Sequence, residues 1–175
     1  MLSESVEQLL ESLASSDAGP GGRAGVRQAG LHAALGAALV ARVASARGAS
    51  APTADDLRVT ALRLADQGPE GEDAAESARR AVRVIEVAER ALGLLETVRP
   101  LGGRTTARAV LTDVAAAAEA LRAAVGTARV DLEVDLAAVT DPAVREELLL
   151  ALDPVDDVVL RAAKVTAVVR EQILR

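Results

Sequence analysis

Two carboxylates, Asp131 and Asp135, lie four residues apart in a stretch with helical character. That spacing puts both on one face of a helix, with Glu133 elsewhere. If both are buried, like-charge repulsion and desolvation raise the pKa of one, which can then serve as a general acid. The alternative is two solvated acids on an exposed face. Asp113 stands before an alanine run and by residue type reads as a helix cap, with Thr112 as the other choice. The Gly19–Gly22 turn with Arg23 can converge backbone N–H groups on an anion, or simply connect two helices. It lacks the Gly-Lys-Ser/Thr ending of a phosphate loop. His32, the single histidine, sits in an apolar stretch either as a packing residue or as a proton shuttle.

Composition removes several other chemistries. The chain of 175 residues has no Cys, so thiol catalysis, disulfides and Cys-based metal sites are excluded, and one histidine gives no His-rich metal site. No Phe, Tyr or Trp is present to stack a nucleic-acid base. The net charge of −6 disfavours a phosphate backbone as partner. The start, MLSESVEQLL, carries Glu4 and Glu7 without an early positive charge, which does not read as a signal peptide. The uncharged run Ala33–Ala41 is about half of a membrane span. These readings predict a cytoplasmic protein without nucleic-acid or membrane partners.

Half of the residues are apolar, and with no aromatics the core must be aliphatic. Ala and Leu favour helix, and no alternating β pattern is seen. An all-α, single-domain helix bundle over residues 1–175 is expected. The first helix runs from Ser5 to about Ser16, with Ser5 and Gln8 at capping-box spacing. The second runs from about Ala24 to Ala46 and is apolar on all sides, so it should be central, with Gly25, Gly30 and Gly36 marking close backbone approaches. A third opens at Thr53 and ends at Gln67. A fourth spans Gly71–Val98, with Arg79, Arg80, Arg83, Glu86, Glu89 and Arg90 mostly on a solvated, ion-paired face. A fifth spans Thr105–Val139, with a kink possible at Gly126. Asp141-Pro142 and Asp153-Pro154 each place a capping Asp before a first-turn Pro, opening helices over 142–152 and 154–174.

Three stretches together resemble the cyclodeaminase domain of formiminotransferase-cyclodeaminase and the bacterial methenyltetrahydrofolate cyclohydrolases. SVEQLLESLASSDAGPGG (5–22) resembles an amphipathic helix ending in a PGGGS-type loop. AALGAALVARVA (33–44) is similar to the family's buried Ala-Gly helix. TDVAAAAEALRAAVGTARVDLEVDL (112–136) aligns with a late family segment without a gap. The resemblance implies a dimeric helical fold and a folate substrate in formimino or methenyl form, with no cofactor beyond folate itself. It implies a folate site near Pro20, Gly21, Gly22 and Arg23. Asp113 becomes a candidate catalytic carboxylate, with Thr112 beside it as a binding contact. There are departures: Arg23 stands at the third loop Gly, Ala24 at the loop Ser, and Asp131 and Asp135 at two family Asn positions.

Both reactions of the family handle a cationic carbon, and both need a carboxylate and a proton carrier. Asp113, Asp131, Asp135 and His32 are the candidate catalytic residues. The added acids leave room for a different amidine- or iminium-like cation as ligand, and the departures leave room for a non-catalytic helical adaptor.

Overall fold

The computed structural model describes residues 8, 23–66, 73–98 and 108–174. The predicted Ser5–Ser16 helix and the Pro20–Gly22 turn lie outside the described residues, apart from helical Gln8. Among the described residues there are six helices and no strand: α1 (Arg23–Ala46), α2 (Pro52–Asp66), α3 (Ala74–Val98), α4 (Arg108–Leu136), α5 (Pro142–Leu150) and α6 (Val155–Ile173). The all-α expectation is met. One aliphatic core draws residues from all six, among them Val40, Leu57, Leu92, Leu121, Leu148 and Val158.

Helix α1 is the central element. It packs most extensively on α4, then on α2 and α3. By length and composition Gly25–Ala46 could cross a membrane, a longer stretch than the uncharged run suggested. Here half of it is buried within the bundle. Its three glycines all mark close approaches, to the backbone of α2 at Gly30 and chiefly to side chains at Gly25 and Gly36. A Cβ on Gly30 would come within 2.9 Å of the Ala65 Cβ on α2, and one on Gly36 within 2.5 Å of Leu121 on α4. A Cβ on Gly25 would overlap the Asp131 carboxylate. Residues rise along α1 (25, 36) as their partners fall along α4 (131, 121), so the two helices are antiparallel.

The helix starts show which local signals survive packing. Asp141 caps α5 as its sequence predicts, accepting from the N–H of Ala143 at 2.8 Å and of Val144 at 3.2 Å. Helix α3 begins at Ala74 rather than Gly71, because Asp73 accepts from the Glu76 N–H at 2.8 Å and acts as its cap. Helix α2 begins one residue early, at Pro52, a favoured first-turn residue.

Asp153 is a correction. It does not cap α6, which starts at Val155 with no side-chain cap bond. The reason lies in the backbone: the Leu152 and Asp153 N–H groups donate to Leu149 and Leu150 carbonyls, and Val155 donates to Leu152. This run of tight turns carries the chain from α5 to α6, and the residue that flanks the helix is Pro154, in a helical rather than an extended conformation and without a side chain that can cap.

Two further expectations are corrected. Helix α4 ends at Leu136, before Val139, and runs unbroken through Gly126. Arg80 is not on the solvated face of α3 but is buried, at 3% exposure. Of the rest, Arg83, Glu86 and Arg90 are exposed, and ion pairs reach Arg79 and Glu89: Arg79 lies 3.8 Å from Glu147 of α5, and Arg161 on α6 reaches across to α3, its Nη2 donating to Glu96 at 2.7 Å, with Glu89 at 3.6 Å.

A Cβ on Gly126 would meet nothing within 4 Å. Gly126→Ala should therefore stabilise the protein by about 0.5–1 kcal/mol, from helix propensity alone. Gly36→Ala should destabilise it, since fully buried Leu121 has no room to retreat. Urea unfolding of the two variants checks both signs.

Candidate functional site

Three helices meet at the start of α1. Helix α4 brings Asp131, near its C-terminal end and only 8% exposed. Helix α1 brings Gly25, whose missing side chain makes the space that the Asp131 carboxylate occupies. Helix α3 brings Arg80. Among the described residues Arg80 and Asp131 are the only buried charged side chains.

Asp135, one turn beyond Asp131, is half-buried. The Oδ2 atoms of both acids are buried without a hydrogen-bond partner among the described residues. Burial, and next the negative charge of Asp135, push the Asp131 carboxyl from its ordinary range up to about 6, while the positive charge of Arg80 pulls it back down. The spacing argument asked for two buried acids; Asp131 is buried, and Asp135, its neighbour of like charge, is half-buried. A carboxyl that titrates near neutrality can both give and take a proton.

Asp113 is elsewhere. It lies within the first two turns of α4 and caps nothing; instead its Oδ2 pairs with the Arg42 Nε at 3.0 Å. Eighteen residues of helix separate Asp113 from Asp131, a rise of about 27 Å. The two cannot serve one reacting centre within a chain. Thr112, also inside the helix and exposed, returns its hydroxyl hydrogen bond to the Arg108 carbonyl at 3.0 Å.

His32 is half-buried, and its Nδ1 is buried without a hydrogen-bond partner among the described residues. Seven residues beyond Gly25, it shares a stripe of α1 with Gly25 but sits about 10 Å along the axis from it. Arg23 is the first residue of α1, and the Pro20–Gly22 turn before it lies outside the described residues. The chain leaving that turn enters α1 at the Asp131 end of the bundle, not at the Asp113 end. Among the described residues no group of three or more His, Asp or Glu is placed to hold a metal ion.

Arg80 is the residue that sequence reasoning missed. Its signal is present: Val84, Val87 and Ala91 follow at four, seven and eleven residues, so Arg80 lies on their apolar stripe. A cluster of arginines and glutamates around it draws attention to the solvated face instead.

Replacing Asp131 has a signed effect on stability. The folded-state pKa is raised, from 3.8 to about 6. The native state therefore holds an extra proton between those values, and stability falls as pH rises through that window. Above it the cost of the buried charge is constant, about 3 kcal/mol at pH 7.5 against about 1 kcal/mol at pH 4.5. Asp131→Asn avoids this cost, so its stability gain over the parent should be larger at pH 7.5 than at pH 4.5. Thermal unfolding at the two pH values checks this; an equal gain at both would contradict the raised pKa.

No curated protein matches the chain. The sequence model of the formiminotransferase-cyclodeaminase family matches residues 59–153, more than half of the chain. The match takes in Arg80, Asp113, Asp131 and Asp135 and stops short of Gly25 and His32. The chain belongs to the formiminotransferase-cyclodeaminase family.

Proposed function

We propose that the protein is a cyclodeaminase- or cyclohydrolase-like enzyme of one-carbon metabolism, acting on formimino- or methenyltetrahydrofolate. The observation that carries this reading, beside membership of the family, is the buried Asp131 carboxyl with a pKa of about 6 next to Asp135. In the cyclodeaminase reaction a folate nitrogen attacks the formimino carbon and ammonia departs. In the cyclohydrolase reaction water adds to the methenyl carbon and the ring reopens. Each moves protons at nitrogen or oxygen near neutral pH, where an acid of pKa about 6 is an efficient donor and acceptor. Asp135 supplies negative charge for the cationic carbon.

The Pro20–Arg23 segment leads into the N-terminus of α1, where helix dipole and free N–H groups favour an anion. It is the proposed seat of the folate carboxylate tail. The reading includes a homodimer in the cytoplasm that uses no cofactor beyond folate. His32 is assigned to the wall of the α1–α4 seam, and Asp113 with Arg42 to joining the far end of that seam.

A second reading keeps the site and changes the ligand. Asp131 and Asp135 accept hydrogen bonds when ionised and add negative charge, which favours a small cationic amidine or iminium over a neutral pterin edge. The adaptor reading has less support, because an inert scaffold gains nothing from burying a carboxylate.

The test offers both folates to the purified protein, following the methenyl absorbance band and ammonia release. Turnover of either is expected, with Asp131→Asn reducing it about 100-fold or more and Asp113→Asn leaving most of it. Loss in Asp113→Asn with full activity in Asp131→Asn would move the chemistry to the Arg42 end of α4. No rate above buffer at saturating substrate would overturn the folate reading, and stabilisation by small amidinium ions alone would favour the second.

A further inference from the structure

The outer side of α1 is as apolar as its core side, and no described helix covers it. On the half that the bundle leaves unburied, Leu35 is 54% exposed, and Leu31 and Leu39, four residues to either side, are half-buried. The surface continues onto α4. Arg42, two turns past Leu35 and so on the same stripe, pairs with Asp113 of α4, which sets the two outer stripes side by side. On α4 Ala116, Ala123 and Val130 follow one another at seven-residue steps, exposed or half-buried, with Val134 one turn further. Val130 and Val134 are 57% and 55% exposed. A soluble single chain rarely leaves a continuous apolar patch of this kind uncovered.

The patch has the size and relief to take a second copy of the chain. Two packed helices make a face about 20 Å wide, and the rise from Ala116 to Val134 is about 27 Å. That is about 540 Å² per copy or about 1,100 Å² for a pair, which clears the roughly 1,000 Å² of a specific interface. The relief is self-complementary: α1 presents a ridge of leucines, and α4 beside it a trough of alanines. A two-fold axis running along the seam lays the ridge of each copy in the trough of the other, so the contact is made twice. Gly36 stands level with Leu121, so the partner's Leu35 comes down near Ala123. The partner's Arg42 comes down at the level of Asp113, opposite charge against opposite charge. Glu119 and Arg122 pair with each other along the α4 edge.

We propose that the joined outer faces of α1 and α4 are the surface on which two copies of the chain associate, the leucines of each α1 set against the alanines of the other copy's α4. The inference rests on the homodimer of the proposed function and names its surface. It accounts for a helix that is apolar on all sides: the bundle covers one side of α1 and the second copy the other. It accounts as well for the small residues on the outside of α4, where the leucines need room. Leu160 of α6 is a contrast. It is 68% exposed, but exposed Asp156 and Lys164 flank it at four residues on either side, so it stands alone.

Sedimentation velocity of the whole chain at micromolar concentration reads the association, and circular dichroism checks that each variant is folded. The parent should sediment as a dimer. Leu35→Arg places an unpaired charge on the ridge and should raise the dissociation constant about 100-fold or more, while Leu160→Arg leaves it unchanged. The chain has no cysteine, so Leu35→Cys chains mixed with Ala123→Cys chains should form the mixed disulfide on oxidation, and Leu35→Cys chains alone should form none. This cross-link serves if Leu35→Arg does not fold. A parent that is monomeric at every concentration overturns the proposal; if a maleimide then fails to reach Leu35→Cys, the face belongs to the chain's own Ser5–Ser16 segment. A dimer that withstands Leu35→Arg, or a disulfide in Leu35→Cys alone, overturns it too. Folate turnover by a monomer overturns the surface and leaves the enzyme reading standing. A dimer that Leu35→Arg dissociates and that turns over neither folate upholds the surface and overturns the folate reading.

Discussion

The close approach of α1 to α4 is the constraint on which the rest of the structure depends. A core without aromatic rings has only small and branched side chains to fill space. Such side chains give a dense interior only when helix backbones come near one another. Gly36 against Leu121 and Gly25 against Asp131 are two points of that approach. Between them Ala29 and Ala33 of α1 and Ala124 and Ala128 of α4 are fully buried. The same closeness that compensates for missing aromatics brings an acidic side chain under the start of α1.

Placing a carboxylate there is costly to stability. Its charge is desolvated, and the neighbouring acid adds repulsion that Arg80 only partly offsets. A protein selected for stability alone would have an amide or an alkyl group at Asp131. Strain of this kind is typical of sites where a proton has to be held loosely enough to move. The ion pair of Asp113 with Arg42 is of the opposite type. Its arginine is 67% exposed, so the pair has little energetic weight and calls for no special function.

Local signals were legible where the tertiary structure left them alone. Asp141-Pro142 capped a helix because its backbone was free to be extended on the N-terminal side. Asp153-Pro154, with the same two residue types, failed because turns arriving from α5 leave Pro154, not Asp153, as the residue that flanks the helix. Arg80 was misread for a related reason. Its stripe of Val84, Val87 and Ala91 was visible, but charge density in the surrounding sequence suggested solvent. Gly126 looked like a break and is an ordinary helical position, because a single glycine costs less than the packing of a long helix returns.

The sequence by itself determined the helical class, the central place of α1 and the pairing of Asp131 with Asp135 on one face. These depend on composition and on periodicity within one helix, which neighbours along the chain decide. Only the tertiary structure decided which acid is buried, that Arg80 is buried as well, and that Asp113 stands at the far end of α4. Those depend on which helix ends meet, and that follows from the antiparallel packing of α1 on α4. The i, i+4 rule reaches one turn; the positive charge that draws the Asp131 carboxyl partly back down comes from a residue fifty-one positions away.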